Sequence, residues 1–307
     1  MIFFSLAFGT VFEFPEKIAR VLKKIVSYWL AGSFILFFST LFFLFINIFV
    51  AAPRYWVLSA SFILTSILVA YAYHHAYKLF VKTIIFESSK ISKGYTFVQL
   101  SDIHVGSNGK HEVEKIVHAL ESLVYDFVVI TGDLIDEDFA HFSDLQPLHN
   151  IDKPIYYITG NHEYYLKRKS FKDFIKKTDI HDINNKKISF KEIDIYGVDE
   201  KSDVHEVLNR LEVDPQRYSL GLVHEPDYSQ MKYAQKQGMD LMLSGHTHNG
   251  QIFPFTWLVR FRYRFLSGLY SINDMMIYVS SGTGTWGPKM RLGTSNEITL
   301  ITIRPKK

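Results

Sequence analysis

The sequence predicts a mixed α/β domain behind an apolar helical hairpin. Three observations carry this: two long uncharged stretches near the N-terminus, a later alternation of short β-rich runs with helical patterns, and polar residues placed directly after those runs. With 307 residues, 48% of them hydrophobic, the chain can bury a sizeable core. Much of the phenylalanine lies before residue 90, so the two parts of the chain are read separately.

The first stretch, Ile25 to Ala52, has no charged residue and exceeds the roughly 20 residues that a membrane-spanning helix needs. Pro53 and Arg54 interrupt it. A second uncharged run, Tyr55 to Tyr73, has aromatic residues at both ends, as an interfacial belt would. Residues 1–24 read as a juxtamembrane segment and residues 25–78 as a transmembrane hairpin. The flanks are basic: Lys17, Arg20, Lys23 and Lys24 precede the first span, Lys78, Lys82, Lys90 and Lys93 follow the second, and only Arg54 lies between. That bias predicts cytoplasmic flanks, hence a multi-pass inner-membrane protein with a cytoplasmic catalytic domain. The opening "MIFFSLAFGTVFEF" has no basic n-region and is not read as a signal peptide. Residues 79–94 alternate apolar, charged and serine residues and read as a linker or an edge strand.

From residue 95 to residue 307 the pattern changes. "YTFVQLSD", "FVVITGD", "PIYYITGN", "YSLGLVH", "MDLMLSGH", "MIYVSSG" and "EITLITI" are strand candidates, and "ISFKEIDIYGV" looks like a strand pair. Helical periodicity covers His111 to Val124, Phe171 to Lys177 and Val204 to Leu211. Alternation of this kind argues for α/β architecture with mostly internal strands.

Composition narrows the chemistry. A net charge of +3 without a basic face or a reading module gives no case for nucleic acid as a specific partner. The chain has no cysteine, which excludes disulfides, thiolate metal sites and a cysteine nucleophile. Any metal must be held by histidine, carboxylate, amide or water.

Such donors recur at the ends of the β-runs. Asp102 and His104 follow the first, Asp133 the second, and Asn161, His162 and Glu163 the third; His224, then His246 and His248, follow two later ones. Singly, each has an ordinary explanation: a helix cap for Asp133, a turn residue for Asn161, a satisfied histidine for His224. Five coincidences together do not, because the carboxyl ends of strands are where α/β sheets build their sites. Imidazole and carboxylate suit Zn, Mn and Fe, and a carboxylate can bridge two ions. Two ions about 3.5 to 4 Å apart can clamp the attacking and leaving oxygens of a phosphoryl displacement.

The ordered motifs "DIH", "GD", "GNHE", the histidine of "VHEP" and "GHTH" resemble those of the calcineurin-like metallophosphoesterase superfamily, and "SGHTHNGQI" and "SSGTGTWGPKMRLGTSNEITLI" are similar to its bacterial membrane-associated members. The resemblance spans residues 95–307 and implies a four-layer α/β/β/α sandwich. It also implies two divalent metal ions, one held by Asp102, His104, Asp133 and His248, the other by Asp133, Asn161, His224 and His246. His162 would face the substrate as acid or phosphate stabiliser, with Glu163 as its orienting partner. The implied activity is hydrolysis of a phosphodiester or pyrophosphate by metal-activated hydroxide.

The hairpin raises the expectation of membrane lipid as a partner and of a lipid-linked substrate. An alternative is a UDP-2,3-diacylglucosamine pyrophosphatase of lipid A synthesis; a catalytically silent membrane scaffold is another. The stretch "FTWLVRFRYRFLSGLY" alternates Arg260, Arg262 and Arg264 with aromatics. It reads either as a half-exposed strand or hairpin, or as a basic aromatic lip for anionic lipid or substrate phosphate.

Overall fold

A computed structural model of the chain describes residues 15–138, 140–166, 175 and 178–306. The helical pattern at Phe171 to Lys177 lies outside the described residues apart from Ile175. The chain divides into two compact units.

The first unit comprises residues 1–78 and 286–293. Its helices are α1 (Glu16–Val50) and α2 (Arg54–His75). The uncharged stretches are therefore continuous helices, and α1 begins well before the expected Ile25 because its basic first turns are equally helix-compatible. Ala51 turns the chain in the left-handed region (φ 52°), and the Asn47 side chain accepts from the Ala52 amide at 2.7 Å. Pro53 then opens α2, where its missing N–H costs nothing. Val26, Ala31, Ile35, Val57, Ser61 and Ala72 are buried, whereas Phe37, Phe45, Ile48, Phe49, Leu58 and Phe62 are exposed. Both helices are long and apolar enough to cross a membrane.

The second unit comprises residues 79–285 and 294–307. It opens with β1 (Leu79–Ser88) and β2 (Tyr95–Leu100), followed by α3 (Lys110–Glu121), β3 (Phe127–Thr131) and the short α4 (Phe142–Leu145). Next come β4 (Ile155–Ile158), β5 (Ile180–Asp182), β6 (Lys186–Phe190) and β7 (Ile193–Gly197). The later part holds α5 (Val204–Leu211), β8 (Tyr218–Leu222), α6 (Tyr228–Lys236) and β9 (Leu241–Ser244). It closes with α7 (Phe255–Arg262), β10 (Gly268–Ile272), β11 (Met275–Val279) and β12 (Asn296–Pro305).

These strands form two six-stranded sheets, ordered β1-β12-β2-β3-β4-β5 and β10-β11-β9-β8-β7-β6. In the first, β2 to β5 run parallel, β12 is antiparallel to β2, and β1 pairs parallel with β12 over its full length. In the second, β7, β8, β9 and β11 are parallel, with β6 and β10 as antiparallel edges.

Side-chain alternation along each strand distributes the core over three layers of contact. Phe97, Phe127, Val129, Ile195, Leu220, Leu222, Leu243 and Ile301 meet between the sheets. Val98, Leu100, Val128 and Ile130 face the other way, onto Val113, Val117 and Leu120 of α3. On the far side Tyr196, Met242, Ile277 and Val279 pack on Val207, Leu208, Met231 and Ala234 of α5 and α6. The result is the α/β/β/α sandwich.

One expectation narrows and another changes. Leu79–Ser88, placed by the sequence between linker and edge strand, is a ten-residue edge strand with Phe86 in the inter-sheet core. The segment from Phe255, read as a strand or hairpin, is a helix as far as Arg262. The period-two alternation of Arg and aromatics begins only at Arg260, whereas Pro254 sets the helix start.

Candidate metal centre

The parallel strands of both sheets aim their carboxyl ends at one place. Asp102 and His104 follow β2, Asp133 follows β3, and Asn161, His162 and Glu163 follow β4. From the second sheet His224 follows β8, and His246 and His248 follow β9. Beneath them the Gln99 amide donates to Thr131 Oγ1 and to the Ser244 carbonyl, both at 3.0 Å, tying the sheets together.

The local backbone is unusual. Asp102, His104, Asp133, His246 and His248 all have φ between 48° and 68°, in the left-handed region that side chains other than glycine seldom occupy. Such strain persists where the surroundings fix it and collects at functional sites. Gly132, with φ 90°, admits the His224 ring: a Cβ there would meet His224 Nδ1 at 2.4 Å. Gly245 likewise leaves room for the Asp102 carboxylate, 2.3 Å from a Cβ at that position.

All seven expected ligands converge, in two groups. In one, His104 Nε2 and His248 Nε2 are 3.0 Å apart, and His248 Nε2 is 3.5 Å from Asp102 Oδ1. In the other, Asn161 Oδ1 lies 3.1 Å from His224 Nε2 and 2.9 Å from His246 Nδ1, and the two histidine nitrogens are 3.2 Å apart. Asp133 Oδ2 reaches both, 3.2 Å from His224 Nε2 and 3.7 Å from His104 Nε2.

The shorter of these separations match the donor spacing of a divalent ion, and the 3.5 and 3.7 Å ones are slightly longer. With ligand bonds of about 2.1 Å, neighbouring donors of one ion stand roughly 3.0 to 3.4 Å apart. The donor set also demands positive charge, because Asp102 and Asp133 are buried. Burial pushes Asp133 up, but the His224 and His104 imidazoles outweigh it and hold the carboxyl below the usual range. Burial lowers His224, yet the Asp133 carboxylate beside it raises it well above the ordinary imidazole value.

Two of the imidazoles, His224 and His246, are hydrogen-bonded from behind, and a third, His104, has a carboxylate close beside it. His104 Nδ1 is 3.3 Å from Asp136 Oδ2, and Asp136 Oδ1 accepts from the Ser107 amide at 2.9 Å. His224 Nδ1 stands 2.8 Å from the Thr131 carbonyl, and His246 Nε2 is 2.8 Å from the Tyr263 hydroxyl. Partners of this kind fix the tautomer and aim the other nitrogen inward. Thr247, between the two histidines of "GHTH", turns away and donates to the Leu266 carbonyl.

His162 lies at the rim, its side chain 15% exposed and its Nε2 3.9 Å from Asp133 Oδ2. Burial, then the His104 imidazole, lower it to about 4. Glu163, expected to orient His162, is buried and binds backbone amides. Its carboxylate accepts from the amides of Asp133 (3.2 Å), Ile135 (2.9 Å) and Gly160 (2.7 Å), pinning two strand-end turns to each other. Burial and the Asp133 carboxylate raise it to about 8 against those donors.

Sequence reasoning missed Asp136 and Tyr263. Asp136 had a signal, since "GDLID" repeats a carboxylate three residues after Asp133. Tyr263 sat in the noted arginine-aromatic stretch with nothing to connect it to His246.

A two-sheet sandwich whose strand ends gather histidines, aspartates and an asparagine around a shared carboxylate defines a metallophosphoesterase. The chain belongs to the calcineurin-like phosphoesterase family, whose profile matches residues 95–250, and is a metal-dependent hydrolase. It is similar to an uncharacterized metallophosphoesterase of Campylobacter jejuni, 31% identical over the whole of this chain and 88% of that protein. A Helicobacter pylori metallophosphoesterase is 34% identical over 71% of this chain. A zebrafish transmembrane protein with a metallophosphoesterase domain is 32% identical over 69%. The matches span 62% and 53% of those two relatives.

Proposed function

We propose that the protein is a membrane-anchored phosphohydrolase that holds two divalent ions and cleaves a phosphodiester or pyrophosphate. The observation that carries this is Asp133 Oδ2, within 3.2 Å of one ligand group and 3.7 Å of the other. Asp102, His104, Asp133 and His248 would hold one ion, and Asp133, Asn161, His224 and His246 the second. When bound, such ions neutralise phosphate oxygens and make water acidic enough to supply a nucleophile near neutral pH.

The chain's own residues do the rest. Thr131 and Tyr263 fix the inward nitrogens of His224 and His246, and the Asp136 carboxylate stands 3.3 Å from His104 Nδ1, so these ligands need little reorganisation during reaction. Glu163 holds the Asp133 and Gly160 backbones in place. His162 stands at the rim with its Nε2 3.9 Å from Asp133 Oδ2, and is the residue proposed to act on the leaving oxygen. α1 and α2 would anchor the chain in the inner membrane with the catalytic unit, residues 95–307 extended by β1, on the cytoplasmic side. Apolar exposure of both helices and the transmembrane relatives support the anchoring. The comparisons lend no support to the lipid A pyrophosphatase reading.

The test is a panel of an aryl phosphodiester, an aryl monoester and a pyrophosphate diester, given to the full chain after Mn or Zn reconstitution. His162→Ala should keep its metal and lose about 10²- to 10⁴-fold in turnover, most on poor leaving groups. Equal turnover on all leaving groups removes His162 from that role.

A further inference from the structure

The helix α7 is packed unlike the other helices of its unit. None of its residues, Phe255–Arg262, is buried. Phe255 is 46% exposed, Trp257 58%, Leu258 53% and Phe261 89%, and Phe253 just before it 43%. At about 100° per residue these four helical positions fall on one arc of roughly 160°. Leaving that much aromatic surface in water is costly, at about 25 cal/mol per Å² of apolar area.

The helix is nevertheless firmly placed. Ile252 and Pro254 are buried before it, Phe265 and Leu266 after it. Thr256 Oγ1 donates to the Asn249 carbonyl at 3.2 Å, and Gly250 lets the helix start come so close that a Cβ would meet Thr256 Cα at 2.5 Å. The exposed arc is therefore a surface held on the metal-binding turn. Tyr263, directly after the helix, touches His246.

Charge identifies the occupant. Between Phe253 and Leu266 there are three arginines, Arg260, Arg262 and Arg264, and no acidic residue. Arg260 borders the apolar arc beside Trp257, and all three arginines are exposed. Arg262 falls within the arc and pairs with Glu225 at 3.4 Å, and Arg264 lies over the Tyr228 ring at 4.2 Å. Exposed aromatics bordered by Arg260 match an anionic bilayer surface, where rings enter the acyl boundary and guanidinium groups meet phosphates. The same chain carries two helices long and apolar enough to cross a membrane.

We propose that α7 is an interfacial helix: Phe255, Trp257, Leu258 and Phe261 enter the surface of an anionic lipid bilayer while Arg260 and Arg264 engage its headgroups. This docking does not depend on the hydrolytic reading. If that reading also holds, the metal centre opens beside lipid headgroups, and phosphoesters with a membrane-resident apolar part become its natural substrates.

The absence of cysteine makes the test simple. Phe261→Cys, Trp257→Cys and, as control, Val124→Cys at an 89% exposed site of the same unit, are made in the full chain and spin-labelled. Each is placed in nanodiscs of phosphatidylcholine with or without about one-third phosphatidylglycerol. Labels at 257 and 261 should be several-fold more accessible to oxygen than to a nickel chelate, and the Val124 label should show the reverse. Adding Arg260→Glu, or omitting phosphatidylglycerol, should lower the ratio at 261. Nickel-favoured accessibility at both 257 and 261 in anionic discs overturns the proposal. Dipolar coupling between two labelled copies, with the same water-like accessibility, would assign the surface to a second copy instead.

Discussion

Tyr263 shows how one side chain outside the ligand set can matter to the centre. Its hydroxyl is 2.8 Å from His246 Nε2, leaving Nδ1 to face Asn161 and His224. Tyr263→Phe should leave the fold intact and weaken metal binding by about 10- to 100-fold, as measured by competition with a chelator. Unchanged affinity would make the contact incidental. Glu200 gives a residue-scale prediction on pH. Burial, helped by the Glu225 and Asp133 carboxylates and opposed by His224, raises it to about 7. Between its ordinary value of 4.5 and 7 the folded chain keeps a proton that the unfolded chain releases. Stability of the chelator-treated chain should then fall as pH rises through that window. Glu200→Gln should flatten the slope in denaturant titrations, and an unchanged slope would reject the assignment. The seven proposed ligands were legible because each lies just after a β-run. Asp136 and Tyr263 were less so, since what defines them is a contact across the fold.

Among the elements, β1 decides where the second unit begins. It pairs with β12 in register from Leu79 opposite Asn296 to Ser88 opposite Pro305, and Phe86 fills the inter-sheet core. Phe86→Ala should destabilise the sandwich by about 3 to 5 kcal/mol, read from chemical denaturation. A loss under about 0.5 kcal/mol would return the strand to the status of a linker. Its partner lies more than two hundred residues away, which no local pattern announces. The strands β2, β3, β4, β8, β9 and β11 were readable because both faces are covered, so each appears as a short, mostly apolar run. α7 was not, because it is only eight residues long and its arginines alternate with aromatics from Arg260 onward at the period of a strand.

For the whole molecule, the sandwich and the centre are one construction. β2, β3 and β4 of one sheet and β8 and β9 of the other each contribute proposed ligands, so the donors meet only when both sheets are packed together. Periodicity shows strands and helices but not how many sheets they make; the two-sheet architecture followed from resemblance and is borne out by the strand order. The apolar hairpin was readable directly from the length of its uncharged runs. What unifies the account is Asp133, whose Oδ2 faces both groups of ligands. Metal stoichiometry by mass spectrometry, on full-length wild type and Asp133→Ala after Mn or Zn reconstitution, tests it most directly. The account predicts two ions per wild-type chain, and in the variant one or none together with lost phosphodiester hydrolysis. Two ions per variant chain with wild-type turnover would contradict it.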